Sequence, residues 1–117
     1  MGHTTAKVRI HGEKGSTEIE LLVDTGSTFS WVSGSVLDKL GIKPKEKKMF
    51  KTIEGKLVER DVAEAVIEYN KQLVTTIVVF AREKDQEVLG VYALEGLGLE
   101  IDPLKKAVKK VEAFLAV

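Results

Sequence analysis

Cysteine is absent from the 117 residues, which excludes disulfides, thiolate metal ligands and thiol nucleophiles. An excess of either charge is also missing, because 18 Lys and Arg balance 18 Asp and Glu. With no basic surplus, there is no electrostatic case for nucleic acid or an anionic membrane as partner. Histidine is scarce: His3 and His11 lie near the start of the chain, without the spacing to other ligand types that a metal site needs. Both are expected to be exposed to solvent, and no metal or organic cofactor is implied. No apolar run approaches the roughly 20 residues of a membrane-spanning helix. No signal-peptide pattern precedes the first strand, so a cytoplasmic location is expected. Amide side chains are few (Asn70, Gln72 and Gln86) while 31% of residues are charged, a bias that resembles heat-adapted proteins. Aromatics make up only 6%. Trp31, Tyr69 and Phe80 have no interleaved basic residues, so they are expected in the core rather than as stacking platforms. Packing is likewise the expectation for Tyr92.

What is present is a chain of strands, 44% hydrophobic and of a length close to the commonest domain size, so residues 1–117 are read as one domain. Ala6, Val8 and Ile10 alternate with Thr5, Lys7, Arg9 and His11, the period of a half-buried strand. Gly12-Glu13-Lys14-Gly15 then turns the chain, and Thr17 to Val23 returns as a second strand. Trp31 and Val32 begin another. Ser33-Gly34-Ser35 offers cap residues for a short helix through Leu40, ended by Gly41 with Pro44 soon after. Lys43 to Lys48 reads as a solvated basic loop. Leu57 to Tyr69 is extended, Tyr69 to Gln72 turns, and Leu73 to Ala81 is rich in Val, Ile and Thr. Arg82 to Glu87 is a charged loop. Near the C-terminus, Leu104, Ala107, Val108, Val111, Phe114 and Leu115 fit a helical stripe, while Ile101-Asp102-Pro103 before Lys105-Lys106 favours a hairpin, which is the expectation adopted.

Chemistry is concentrated in one place. Leu21-Leu22-Val23 is a continuous apolar run, expected as a strand buried on both faces, and it feeds directly into Asp24-Thr25-Gly26-Ser27. A carboxyl group is thereby delivered onto a tight turn in apolar surroundings, where Gly26 permits a close backbone approach. Two such carboxyls in contact cannot both ionise and would share a proton. Only one Asp-Thr-Gly occurs in the chain. Asp102, before Pro103 in a turn, is not a plausible second, and Asp38 is expected to be solvated on its helix.

Asp24-Thr25-Gly26-Ser27-Thr28-Phe29-Ser30-Trp31-Val32 resembles the active-site turn of the pepsin and retroviral protease superfamily. Val88-Leu89-Gly90, followed after a short helical stretch by Leu97-Gly98-Leu99-Glu100-Ile101-Asp102, resembles the second element of its retropepsin-like members, which packs beneath that turn. The resemblance implies an all-β, closed β-barrel with one or two short helices. It implies a homodimer with Asp24 from each subunit as the catalytic pair, a two-lobed single-chain relative needing about twice this length. Thr25 would link the two loops across the dimer axis, Gly26 would turn its amide toward the carboxylates, and Ser27 would support them from outside. Thr52-Ile53-Glu54-Gly55-Lys56 resembles by position the flap hairpin over bound peptide, with Ile53, Glu54 and Gly55 at the substrate; a plain surface hairpin is the alternative. One family feature is missing. Retroviral members carry an Arg after the second Gly, paired with an acidic residue near the catalytic loop, whereas this chain has Val91, Thr28 and Phe29. Terminal strands are candidates to secure the dimer instead.

The expected activity is hydrolysis of peptide bonds in extended polypeptides by activated water, with a peptide or protein substrate. A precursor-specific protease is a narrower version of the same reading. A non-catalytic dimerisation or peptide-binding module is the rival, opposed by the electrostatic cost of facing carboxyls that mere binding would not need.

Overall fold

In the computed structural model, residues 3–114 and Ala116 are described. Leu115, the last member of the helical stripe, lies outside the described residues. Strand β1 (Thr5–Gly12) pairs antiparallel with β2 (Gly15–Val23) in the register Thr5↔Leu22 to Gly12↔Gly15. Their alternation buries Ala6, Val8, Ile10, Leu21 and Val23 on one face. Leu22 stays only half-buried, so the end of β2 alternates instead of being covered on both faces. The apolar run at Leu21-Leu22-Val23 reflects partial cover of the outer face, not a second core.

After β3 (Ser30–Ser33) and α1 (Gly34–Lys39) the chain runs through β4 (Glu46–Lys51), β5 (Leu57–Tyr69), β6 (Gln72–Ala81) and β7 (Val88–Leu89). Helix α2 (Val91–Leu97) and the hairpin β8 (Leu99–Asp102) with β9 (Ala107–Lys110) complete it. The main sheet has the order β1-β2-β7-β3-β6-β5-β4, and an additional β1–β5 pairing joins Arg9, Ile10 and His11 to Glu68, Ile67 and Val66. That pairing closes the sheet into a barrel, the architecture expected from the sequence. Ile10, Leu21, Leu37, Ile67 and Leu89 are among its fully buried side chains.

Several local expectations are corrected. The basic run is not a loop throughout: from Glu46 it is strand β4, paired with β5 from Glu46↔Val62 to Lys51↔Leu57. Three of its lysines pair with acidic neighbours, Lys45 with Glu64 at 3.1 Å, Lys47 with Asp61 at 2.7 Å and Lys48 with Glu46 at 3.3 Å. The Asp61 carboxylate raises the Lys47 pKa by accepting this hydrogen bond. Ser33 precedes α1 but makes no side-chain cap bond to its backbone; its hydroxyl instead meets that of Ser35 at 2.9 Å. Gly41 ends the helix in the left-handed region, φ +79°. His3 is exposed, but His11 is half-buried, with Nε2 2.6 Å from the Glu68 carboxylate across the β1–β5 seam. Tyr69 and Phe80 pack against the core as expected. The C-terminal segment forms the hairpin, with Asp102 Oδ1 accepting the Leu104 and Lys105 amides in its turn. Asp38 is exposed.

Candidate active site

The topology places the Asp24 turn before any side chain is considered. Strand β7 lies between β2, to which it is parallel, and β3, to which it is antiparallel. The loop from Asp24 to Phe29 must therefore cross the end of β7, spanning two inter-strand spacings or roughly 10 Å. It does so in contact with the segment just past β7. The Asp24 amide donates to the Leu89 carbonyl at 3.0 Å, and the Val91 and Tyr92 amides at the start of α2 donate to the Ser27 and Thr28 carbonyls at 2.8 and 3.2 Å. A helix start carries unpaired N–H groups, and here the loop's carbonyls satisfy two of them.

Gly90 is the reason the loop can sit so low. A Cβ at this position would lie 2.4 Å from the Phe29 carbonyl oxygen and 2.7 Å from that of Ser27, both backbone atoms. Its amide donates to the Ser30 hydroxyl at 3.0 Å, and Ser30 is the buried polar residue of the described core, at 1% exposure. The Leu89-Gly90 element expected beneath the turn is thus in place. Leu89 supplies core packing and Gly90 the clearance.

Within the turn, the Gly26 amide donates to Asp24 Oδ1 at 2.8 Å and the Ser27 amide to the Asp24 carbonyl at 3.2 Å. The carboxylate is thereby oriented by backbone, as expected for Gly26. Ser27 behaves differently: its hydroxyl donates to the Phe29 carbonyl at 2.7 Å, shaping the loop rather than touching Asp24. Thr25 is exposed at the tip, beside an exposed Gly26 and a half-exposed Asp24. The apolar cradle anticipated for the carboxyl does not surround it in the described chain.

The β4–β5 hairpin projects next to this loop. Its tip is organised by Thr52, whose amide donates to the Lys56 carbonyl at 2.8 Å and whose hydroxyl accepts the Lys56 amide at 3.1 Å. Gly55 holds φ +84°, a conformation that disfavours a side chain. Ile53, Glu54 and Gly55 are exposed, Ile53 fully, and the Gly55 amide donates to the Thr52 carbonyl at 2.8 Å within the tip itself. Lower down, Phe50 packs edge-on against Trp31 and Phe29, with ring centroids 5.1 and 6.1 Å apart, and Phe29 meets Tyr92 at 5.8 Å. Trp31 is therefore half-buried in an aromatic contact with strand β4 instead of in the core, and Tyr92 is about half exposed (52%) at its edge. Thr28 and Phe29 stand where the resemblance leads one to expect acidic residues, and Phe29 joins Phe50, Trp31 and Tyr92 in an apolar cluster.

Besides the His11–Glu68 contact, sequence reasoning missed a second pair. Arg60 of β5 donates to both carboxylate oxygens of Asp85, at 2.7 and 2.9 Å, and the Arg82 amide adds a bond to Asp85 Oδ2 at 2.8 Å. The Arg60 guanidinium, helped by the Arg82 amide, holds the Asp85 carboxyl below its ordinary range. Nothing in the local pattern marks this pair, because 25 residues separate its members.

No group of three or more metal-binding side chains forms among the described residues, and no described helix is long and apolar enough to cross a membrane. A groove of about 480 Å³ between His11, Lys43, Glu64 and Thr75 lies away from Asp24. A search among curated proteins gave no match. The sequence model of a family described as aspartyl protease matches residues 6–93, a span that includes the Asp24 turn, the β4–β5 hairpin and the Leu89-Gly90 element. By that match over most of its length, and with the barrel that carries it, the chain belongs to the aspartyl protease family.

Proposed function

We propose that the protein is an aspartic endopeptidase that works as a homodimer, with Asp24 of each subunit facing its counterpart across a two-fold axis. The observation that carries this reading is the Asp24 turn itself: a carboxylate oriented by the Gly26 amide at 2.8 Å, on a loop left open to the surface. One subunit has a single such carboxyl, and an isologous contact supplies the second at the same place. Two carboxyls within hydrogen-bonding reach hold one proton between them. The ionised one takes a proton from water while the protonated one polarises the scissile carbonyl, and water attacks without a covalent intermediate.

In this reading Thr25, exposed at the tip, meets the partner's loop. Ile53, Glu54 and Gly55 close over an extended peptide, adding backbone hydrogen bonds in the manner of an added strand. The substrate is a peptide or unfolded protein segment, and residues 1–117 act as one catalytic domain.

Incubation with a denatured protein from acidic to neutral pH tests the proposal. The native chain is expected to cut it and Asp24→Asn to lose at least about three orders of magnitude in rate. Equal activity in both, or none in either, refutes the enzyme and leaves a peptide-binding module. Sedimentation at several concentrations tests the assembly, since a chain that stays monomeric throughout holds half a site.

A further inference from the structure

The Arg60–Asp85 pair joins two segments that no other hydrogen bond or ion pair links among the described residues. Arg60 lies on the flap side of Val62, where β5 leaves β6 behind: pairing with β6 begins at Val62↔Val79, so residues 57–61 are held laterally by β4 alone. Asp85 lies in the loop between β6 and β7, the loop that leads into Val88-Leu89-Gly90 and hence the floor of the Asp24 turn. Both side chains are largely covered, at 12% and 17% exposure. The fork-on-carboxylate geometry fixes orientation as well as distance, which a single point contact would not do. Residues 82–87 are also tied to the barrel, since the Glu87 carbonyl accepts the Leu22 amide at 3.3 Å and its carboxylate the Ser33 amide at 3.0 Å.

On the opposite strand of the hairpin, Phe50 packs against Trp31 and Phe29. Phe50 and Arg60 lie on the same, half-buried face of the hairpin, while Met49, Leu57 and Glu59 on the other face are exposed. The hairpin is thus held on both strands below its tip. From Thr52 to Lys56 only backbone bonds and the Thr52 hydroxyl act, and no side chain is anchored to the barrel.

We propose that Arg60 and Asp85 are positioning residues that couple the flap's stem to the 82–87 loop, so that flap and loop move as one body and only residues 52–56 close independently over a peptide. This rests on the endopeptidase reading for its purpose, but the mechanical claim is measurable without catalysis.

Amide hydrogen exchange of the native protein, Asp85→Asn, Arg60→Lys and the double variant tests it. In each single variant, exchange of residues 46–51, 57–61 and 82–87 is expected to rise together by about tenfold, with β6 and β1 unchanged. The double variant should exchange no faster than the faster single, as two members of one contact require. On a cleaved peptide, the single variants should raise KM about fivefold with kcat kept within about twofold, a split that general loosening of the fold would not produce. The proposal is overturned if the stem or the loop responds alone, if neither responds, or if β6 loses protection to the same degree. A native chain that cuts no peptide refutes the endopeptidase reading, while the exchange pattern still decides the coupling.

Discussion

Replacing Gly90 by Ala isolates the feature on which the geometry of the Asp24 turn depends. The backbone there is ordinary, with φ −92°, so alanine meets no conformational strain and the effect is steric. Its methyl group would lie 2.4 Å from the Phe29 carbonyl oxygen and 2.7 Å from both the Phe29 carbonyl carbon and the Ser27 oxygen. Ordinary contact begins near 3.4 Å, so the loop must rise by about 1 Å at backbone atoms that cannot rotate away. Overpacking of this kind costs about 1–3 kcal/mol. Lifting the loop also stretches the Gly90–Ser30 and Val91–Ser27 hydrogen bonds, now 3.0 and 2.8 Å, at about 0.5–1.5 kcal/mol each. The total is about 2–6 kcal/mol. Urea unfolding should show it as a lower midpoint with an unchanged slope, and the melting temperature should fall by roughly 4 °C for each kcal/mol. Gly26→Ala is the control. Its methyl would meet only Asp24 Oδ1, at 3.2 Å, so stability should change by less than about 1 kcal/mol, while the proposed cleavage suffers because the carboxylate is displaced. Equal stability loss in the two variants, or a loss below about 0.5 kcal/mol in Gly90→Ala, would refute the argument that backbone clearance at Gly90 sets the loop.

Asp85 makes a pH prediction. Its carboxyl is held low chiefly by the Arg60 hydrogen bonds. The pair's contribution is therefore complete above the ordinary aspartate value of about 3.9 and is lost as pH falls through the lower folded value; Asp85→Asn should flatten the stability profile in that acidic window, by less than about 2 kcal/mol. Phe50→Ala should shift the emission of Trp31, the chain's sole tryptophan, toward the red, because its ring contact at 5.1 Å is replaced by water; an unchanged spectrum would contradict the aromatic contact. Ile53→Ser should leave the melting temperature unchanged, since the side chain is fully exposed, yet raise KM for peptide if the tip closes over substrate. Thermal unfolding of the native chain with a midpoint in the mesophile range would count against the heat-adapted composition.

How much was legible depends on the range of the interactions involved. The β1–β2 hairpin, the bounds of β5 and the C-terminal hairpin were readable because alternation, turn residues and Pro103 act over a few positions. Strand β4 was missed because its lysines and glutamate look like a solvated loop. It is a strand because β5 offers an edge, and because Asp61 and Glu64 accept Lys47 and Lys45. Trp31 reads as a core residue because nothing local shows that Phe50, from strand β4, comes to its face.

At the site the division is similar. Asp24, Gly26 and Gly90 are short-range requirements of a turn and of a close approach, so the sequence by itself determined where the carboxyl sits and what lies under it. The destination of the Ser27 hydroxyl, the exposure of Asp24, the His11–Glu68 contact on the barrel seam and the Arg60–Asp85 clamp were decided by tertiary structure. Each joins groups whose separation depends on how strands pair across the barrel, and strand pairing is settled by the collective burial of Ile10, Leu21, Ile67 and Leu89 rather than by any residue's neighbours along the chain.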